Sequence, residues 1–187
     1  MSVAPTDPDK GAHLRALVET ALVEHESALV HYTTGLLRGD QERARDVVQD
    51  AFLRLCRHDP AALEGRVKAW LFTVCRNRAY DLLRHDARWA MDEHGLDGLA
   101  QPAPDPAEES ARADRNREVL ACLARLPRSQ QDVVRLRFQQ GMSYKEIAEI
   151  TGMSSGNVGF LLHTAMRRLR ARLESRQRIE AVKGGQP

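Results

Sequence analysis

Apolar residues recur along this chain at spacings of three and four, with little β-branched alternation, and the pattern predicts an all-α protein. "LRALVETALVEHESALVHYTTGLL" predicts one or two helices, with a weak start near Asp9 and an end at Gly39. "DQERARDVVQDAFLRLCRH" places Val47, Val48, Ala51, Phe52 and Leu55 on one stripe, and Arg43, Asp46, Asp50 and Arg54 on the other side. Asp40 is its N-cap candidate. Pro60 and Gly65 then interrupt the pattern in "DPAALEG". In "RVKAWLFTVCRNRAYDLLRHDARW", Trp70, Leu71, Val74, Cys75, Leu82 and Leu83 turn to a core. The exposed side is then a mix of cations, with Asn77, and the aromatics Phe72, Tyr80 and Trp89.

Periodicity stops at residues 90–114, "AMDEHGLDGLAQPAPDPAEESARAD", which read as a flexible acidic, Pro-rich linker. It separates two small helical domains, residues 10–89 and 115–176, and residues 177–187 form a frayed polar tail. In the second domain "REVLACLARL" stops at Pro127 and "RSQQDVVRLRFQQG" ends on Gly141. "SYKEIAEITG" opens with a capping box, Ser143 with Glu146, and closes at Gly152. Ser154 caps the last helix, whose Val158, Leu162, Ala165 and Leu169 form a seam against Ile147 and Ala148. Helix, short glycine-containing turn, helix is the helix-turn-helix arrangement.

Net charge is only +2, but its distribution is uneven. Residues 66–89 hold six Lys and Arg against two acids, residues 90–114 one Arg against seven acids, and residues 155–178 six Arg against one acid. Two basic segments flanking an acidic one suit a chain that meets a polyanion at two places; ordinary solvated helix faces are the plainer reading. Arginines interleaved with aromatics can neutralise phosphates and stack on unpaired bases. On the last helix Ser155, Gly159, Phe160, His163 and Arg167 lie opposite the seam, with Arg168, Arg170 and Arg172 as further phosphate contacts.

Other classes lose ground. There is no Gly-rich phosphate loop, no H-E-x-x-H, no G-x-S-x-G and no His, Cys and acid set at telling spacing, so an enzyme is not expected, nor a cofactor. Cys56, Cys75 and Cys122 lie far apart among apolar neighbours and read as buried thiols, with neither a metal site nor a disulfide frame. No apolar run approaches membrane-spanning length and the start lacks signal-peptide features, so no membrane insertion and a cytoplasmic location are expected.

Three segments in order carry a family resemblance over about residues 15–175. "ERARDVVQDAFLRLCRH", "AWLFTVCRNRAYDLLR" and "LPRSQQDVVRLRFQQGMSYKEIAEITGMSSGNV" resemble the core-docking, −10 and −35 segments of bacterial RNA polymerase sigma factors of the sigma-70 family, extracytoplasmic-function (ECF) subgroup. The resemblance implies that Asp46, Gln49, Asp50 and Arg54 hold the β′ clamp helices of core RNA polymerase. It assigns Trp70, Arg76, Asn77, Arg78, Tyr80 and Arg84 to −10 DNA, with "HDPAALEG" holding a flipped base. It implies promoter DNA, the polymerase β flap and an anti-sigma factor as partners, and a connector running through the polymerase cleft. The chain departs from the family's "VGTVKSRLHRA" pattern at Gly159, Leu161 and Thr164, where basic residues are usual. Ser155, Asn157, Phe160, His163, Arg167 and Arg168 remain for −35 DNA, with Phe160 touching a thymine methyl. A free-standing helix-turn-helix regulator and a polymerase-docking protein that does not direct initiation are the competing readings.

Overall fold

A computed structural model describes residues 8–63, 65–93 and 111–183 of the chain. The chain divides into two compact units, Met1–Pro102 and Ala103–Pro187. Every regular element among the described residues is helical, as the periodicity predicts.

The first unit packs α1 (Pro8–Leu36), α2 (Gln41–Leu55) and α3 (Val67–Glu93) pairwise against one another, with a 3-10 turn at Pro60–Leu63 resting on α1. α1 is a single helix of 29 residues. Asp40 caps α2 by accepting the Arg43 N–H at 3.0 Å. The predicted stripe of α2, from Val47 to Leu55, is buried. Arg43, which the pattern sends to solvent, instead donates to both carboxylate oxygens of Asp86 at 2.8 and 3.1 Å and ties α2 to α3.

On α3 the buried line is Ala69, Leu71, Phe72, Cys75, Ala79 and Leu83, whereas Trp70, Val74 and Leu82 are half-buried. Phe72 is therefore core, not an exposed aromatic: it is fully buried, with its ring centroid 5.3 Å from that of Tyr32. Ala69 and Ala79 allow close helix packing on this line, which rotates bulkier Trp70 and Leu82 toward the boundary. The side chain of Trp89 lies outside the described residues.

The second unit comprises α4 (Ala111–Ala124), α5 (Arg128–Val134), α6 (Tyr144–Thr151) and α7 (Ser155–Lys183). α7 packs on the other three. α5 widens into a π-helical turn at Arg135–Gln139 before the chain turns back. Pro127 offers no side-chain cap, and the end of α4 is sealed by Gln131, which donates to the carbonyls of Ala124 and Leu126 at 3.0 and 2.8 Å. Both halves of the Ser143–Glu146 capping box form. Gly152 ends α6 at φ 71°, a left-handed conformation that costs glycine least. Ser154 then accepts the Asn157 N–H at 3.2 Å, and the seam Val158, Leu162, Ala165 and Leu169 is buried.

Helix extends into both ends of the stretch read as linker, since α3 continues to Glu93 and α4 begins at Ala111; residues 94–110 lie outside the described residues. α7 also continues to Lys183 through much of the expected tail, with no glycine or proline to stop it before Gly184. Cys75 and Cys122 are buried, but Cys56 at the end of α2 is exposed, against expectation. Desolvation pushes the Cys75 thiol up to about 12, which leaves it a protonated, inert core residue.

Candidate functional surfaces

On α2, Asp46, Gln49, Asp50 and Arg54 are all exposed. Spacings of three and four put them on one side of the helix, back to back with the buried stripe. Leu53 sits among them, 52% exposed, and sequence reading passed over it. The signal was available: Leu53 falls off the apolar stripe, three and four residues from Asp50 and Gln49. An apolar side chain ringed by charges combines desolvation with register for a partner helix.

The residues singled out on α3 fall into two groups. Trp70 is half-buried and meets the ring of His58 edge-on, centroids 5.2 Å apart, so it belongs with the loop that precedes α3. The rest line two adjoining clefts. One, of about 440 Å³, is bordered by Arg76, Asn77, Tyr80, Asp81 and Arg84; there the Arg76 guanidinium lies 4.9 Å from the Tyr80 ring centroid. The other, of about 470 Å³, is bordered by Arg78, Asp81, Leu82, Arg84, His85 and Arg88. Asp81 and Arg84 belong to both and pair with each other. A guanidinium stacked on a phenol ring is held flat while keeping donors for an anion.

The acids of α3 blunt its positive charge less evenly than a count suggests. Asp86 is taken by Arg43, and hydrogen bonding from that guanidinium holds its carboxyl below the usual carboxylate range. Arg78 lies 4.0 Å from Asp50 of α2, at the outer limit of ion pairing. This contact joins the outer face of α2 to the clefts of α3.

In the second unit Ser155, Asn157, Phe160, His163, Arg167 and Arg168 are all exposed, Phe160 at 66%. Arg168 also donates to Gln130 at 3.2 Å, which fixes it against α5. Gly159 is half-covered, because the Tyr144 ring of α6 lies beside it: a Cβ at Gly159 would be 3.4 Å from Tyr144 Cε2. Arg137 of the π-helical turn lies with its guanidinium carbon 5.5 Å from the Tyr144 ring centroid and donates to the Met142 carbonyl at 2.8 Å. Neither residue was singled out from the sequence.

Among the described residues no group of three or more His, Cys, Asp or Glu could hold a metal ion, and no helix is long and apolar enough to cross a membrane.

Comparison with known proteins matches both units. Residues 22–89 match the family described as Sigma-70 region 2, and residues 116–169 the family described as Sigma-70, region 4. The ECF RNA polymerase sigma factor SigL of Mycobacterium tuberculosis is 33% identical over 162 residues, covering 85% of this chain and 90% of SigL. Among solved structures, the sigma factor RpoE in complex with the anti-sigma factor NepR from Bartonella quintana is similar with a TM-score of 0.62 and 24% identity, covering 83% of this chain and 96% of RpoE. CnrH, in complex with the cytosolic domain of CnrY, is similar with a TM-score of 0.64 and 22% identity, covering 90% of this chain and 94% of CnrH. With both sigma regions present in order and this extent of identity to SigL, the chain belongs to the ECF RNA polymerase sigma factors of the sigma-70 family, initiation factors that direct transcription from promoters.

Proposed function

We propose that the outer face of α2 holds the β′ clamp helices of core RNA polymerase, that α3 and the loop before it read and open the −10 element, and that α7 reads the −35 element. Asp46, Gln49, Asp50 and Arg54 give the docking helix its register, and Leu53 is its apolar anchor. Arg76, Asn77, Arg78, Tyr80 and Arg84 follow the separated strand along the two clefts, the arginines on phosphates and Tyr80 on a base. Trp70, braced by His58, stands at the loop where a flipped base would be held. In the second unit Phe160 touches a thymine methyl, Ser155, Asn157 and His163 make polar contacts, and Arg167 and Arg168 meet phosphates.

The observation that carries this reading is the adjacency of two differently built faces on one small unit. An acidic and apolar helix face adjoins clefts of arginine and tyrosine, linked through Asp50 and Arg78. Residues 10–89 and 115–176 act as the two working domains, and residues 90–114 connect them through the polymerase cleft. The polymerase supplies all bond-forming chemistry, so the chain is not itself an enzyme and acts where polymerase acts, in the cytoplasm. RpoE's complex with NepR supports an anti-sigma factor as a further partner.

Run-off transcription tests the reading, with core bacterial polymerase, the full chain and a pooled library of promoter fragments from the source genome. Discrete start sites that require the chain and fade in an Asp46→Ala/Asp50→Ala variant are expected. Binding of core without any start site would leave a docking protein, and no binding of core would remove the assignment of α2.

A further inference from the structure

Arg76, Tyr80, Arg84 and Arg88 stand four residues apart on α3 and so form one row along the helix. The neighbouring row, Asn77, Asp81 and His85, repeats that spacing with an amide, a carboxylate and an imidazole. We infer that the two rows form a binding site for a free nucleoside triphosphate, its base held at Tyr80 and its phosphates at Arg84 and Arg88. The consequence for initiation rests on the −10 reading of α3 proposed above: a bound nucleotide occupies the clefts that the separated strand would enter.

Size, stacking and charge each point to this ligand. The clefts measure about 440 and 470 Å³, within the range of small-molecule sites, and they share Asp81 and Arg84, so one ligand can reach from one into the other. In the first, the Arg76 guanidinium lies 4.9 Å from the Tyr80 ring centroid, and a base can extend that stack. Asn77 and Asp81 border the same cleft with a donor and acceptors for the base edge or the ribose hydroxyls. In the second, Arg78, Arg84, His85 and Arg88 surround a single acid, Asp81. An α-helix rises about 1.5 Å per residue, so Arg84 and Arg88 follow Tyr80 at about 6 and 12 Å. A ribose and a chain of phosphates extend from a base over that interval.

Asp81 separates a nucleotide site from a general anion site. It pairs with Arg84, and its charge opposes a phosphate in both clefts. The two side chains are 53% and 65% exposed, and surface pairs of this kind hold weakly. A phosphate can therefore take one edge of the Arg84 fork while Asp81 keeps another. A bare polyphosphate meets the repulsion from Asp81 with charge alone, whereas a nucleotide adds a base stacked on Tyr80.

The test is isothermal titration calorimetry of the full chain at constant ionic strength, with ATP, GTP and inorganic tripolyphosphate as probes. Both nucleotides are expected to bind at least about fivefold more tightly than tripolyphosphate, the low end of what stacking one base contributes. Tyr80→Ala is expected to abolish that preference, and Arg88→Ala to weaken all three probes together. Tyr80→Phe, which keeps the ring, is expected to retain the preference and controls for folding. An Arg167→Ala/Arg168→Ala variant, altered on α7, is expected to retain it too. Equal affinity for nucleotide and tripolyphosphate, no binding of either, or a preference that survives Tyr80→Ala or is lost in the α7 variant overturns the inference. Permanganate reactivity of −10 thymines in the polymerase holoenzyme separates this from the −10 reading. If Tyr80→Ala lowers that reactivity but the chain binds no nucleotide, the inference falls and the −10 reading stands. If nucleotides bind as expected and Tyr80→Ala leaves the reactivity unchanged, the nucleotide site stands and the −10 reading falls.

Discussion

The two surfaces assigned to DNA are built on opposite plans. α3 offers long side chains: four arginines and a tyrosine border two clefts, and the acids nearby are engaged with arginines. The leading turns of α7 offer short ones, Ser155, Gly156, Asn157 and Gly159, with one bulky exposed residue, Phe160, and arginines only from Arg167 onward. A separated strand is flexible and presents base faces and phosphates at many angles, so long cationic and aromatic side chains suit it. A duplex groove is rigid and deep, and there a slim helix that comes close gains more from shape than from reach. The difference teaches that a low count of basic residues on the leading turns of a helix-turn-helix does not by itself argue against groove contact, because short side chains let the helix come close.

Phe72→Ala breaks the comparison most strongly, because it asks which aromatics of α3 belong to the surface at all. Phe72 is fully buried against Tyr32, and its truncation should cost about 3–5 kcal/mol. Urea unfolding should show the loss as a large fall in midpoint. A residue serving only nucleic acid would leave that midpoint in place.

That error of phase shows what a sequence pattern carries. The seam of α7 was legible because Val158, Leu162, Ala165 and Leu169 keep a regular spacing of four, three and four. The capping box and Gly152 were legible because their signals are local in the chain. α3 is apolar on too many sides for the same inference: Trp70, Leu71, Phe72, Val74 and Cys75 leave several phases open, and Ala69 and Ala79, weak signals in a pattern, set the buried line. The exposed positions of α2 could be read because charged and polar side chains marked them, whereas Leu53, apolar but off the buried stripe, carried no such mark and was passed over. Contacts between distant residues were not legible. Arg43 with Asp86, and Tyr144 with Gly159, join positions that no local rule connects.

The comparison sharpens when one aromatic from each surface is removed in parallel. Tyr80→Ala should weaken opening of the −10 element by roughly 1–3 kcal/mol, the usual worth of stacking one base. Permanganate reactivity of unpaired thymines in the holoenzyme complex reads this directly. Phe160→Ala should cost less, about 1 kcal/mol or roughly fivefold in binding, since it loses an apolar contact with a methyl group. Its effect belongs in the −35 footprint, with permanganate reactivity per bound complex unchanged. If Phe160→Ala altered opening, or Tyr80→Ala the −35 footprint, the division of labour between α3 and α7 would fail.

The smallest effect concerns charge pairing, which α3 uses and the leading turns of α7 do not. The Arg43 guanidinium, hydrogen-bonded to both oxygens of Asp86, lowers the carboxyl's pKa on folding, and burial opposes this only partly. A lowered folded pKa means stability that is present above the unfolded value of about 3.9 and is lost as pH falls through the folded one. Side chains 38% and 40% exposed are strongly screened, so the pair should be worth at most about 1 kcal/mol. Asp86→Asn should therefore lower the urea midpoint slightly at pH 7, and the gap from wild type should shrink as pH falls below about 4. In 1 M salt at pH 7 the gap should narrow as well. A gap that ignored both pH and salt would mean that Asp86 ties α3 to α2 through geometry alone. Asp81, which borders both clefts and pairs with Arg84, would then be left as the α3 acid that sets how much positive charge they present.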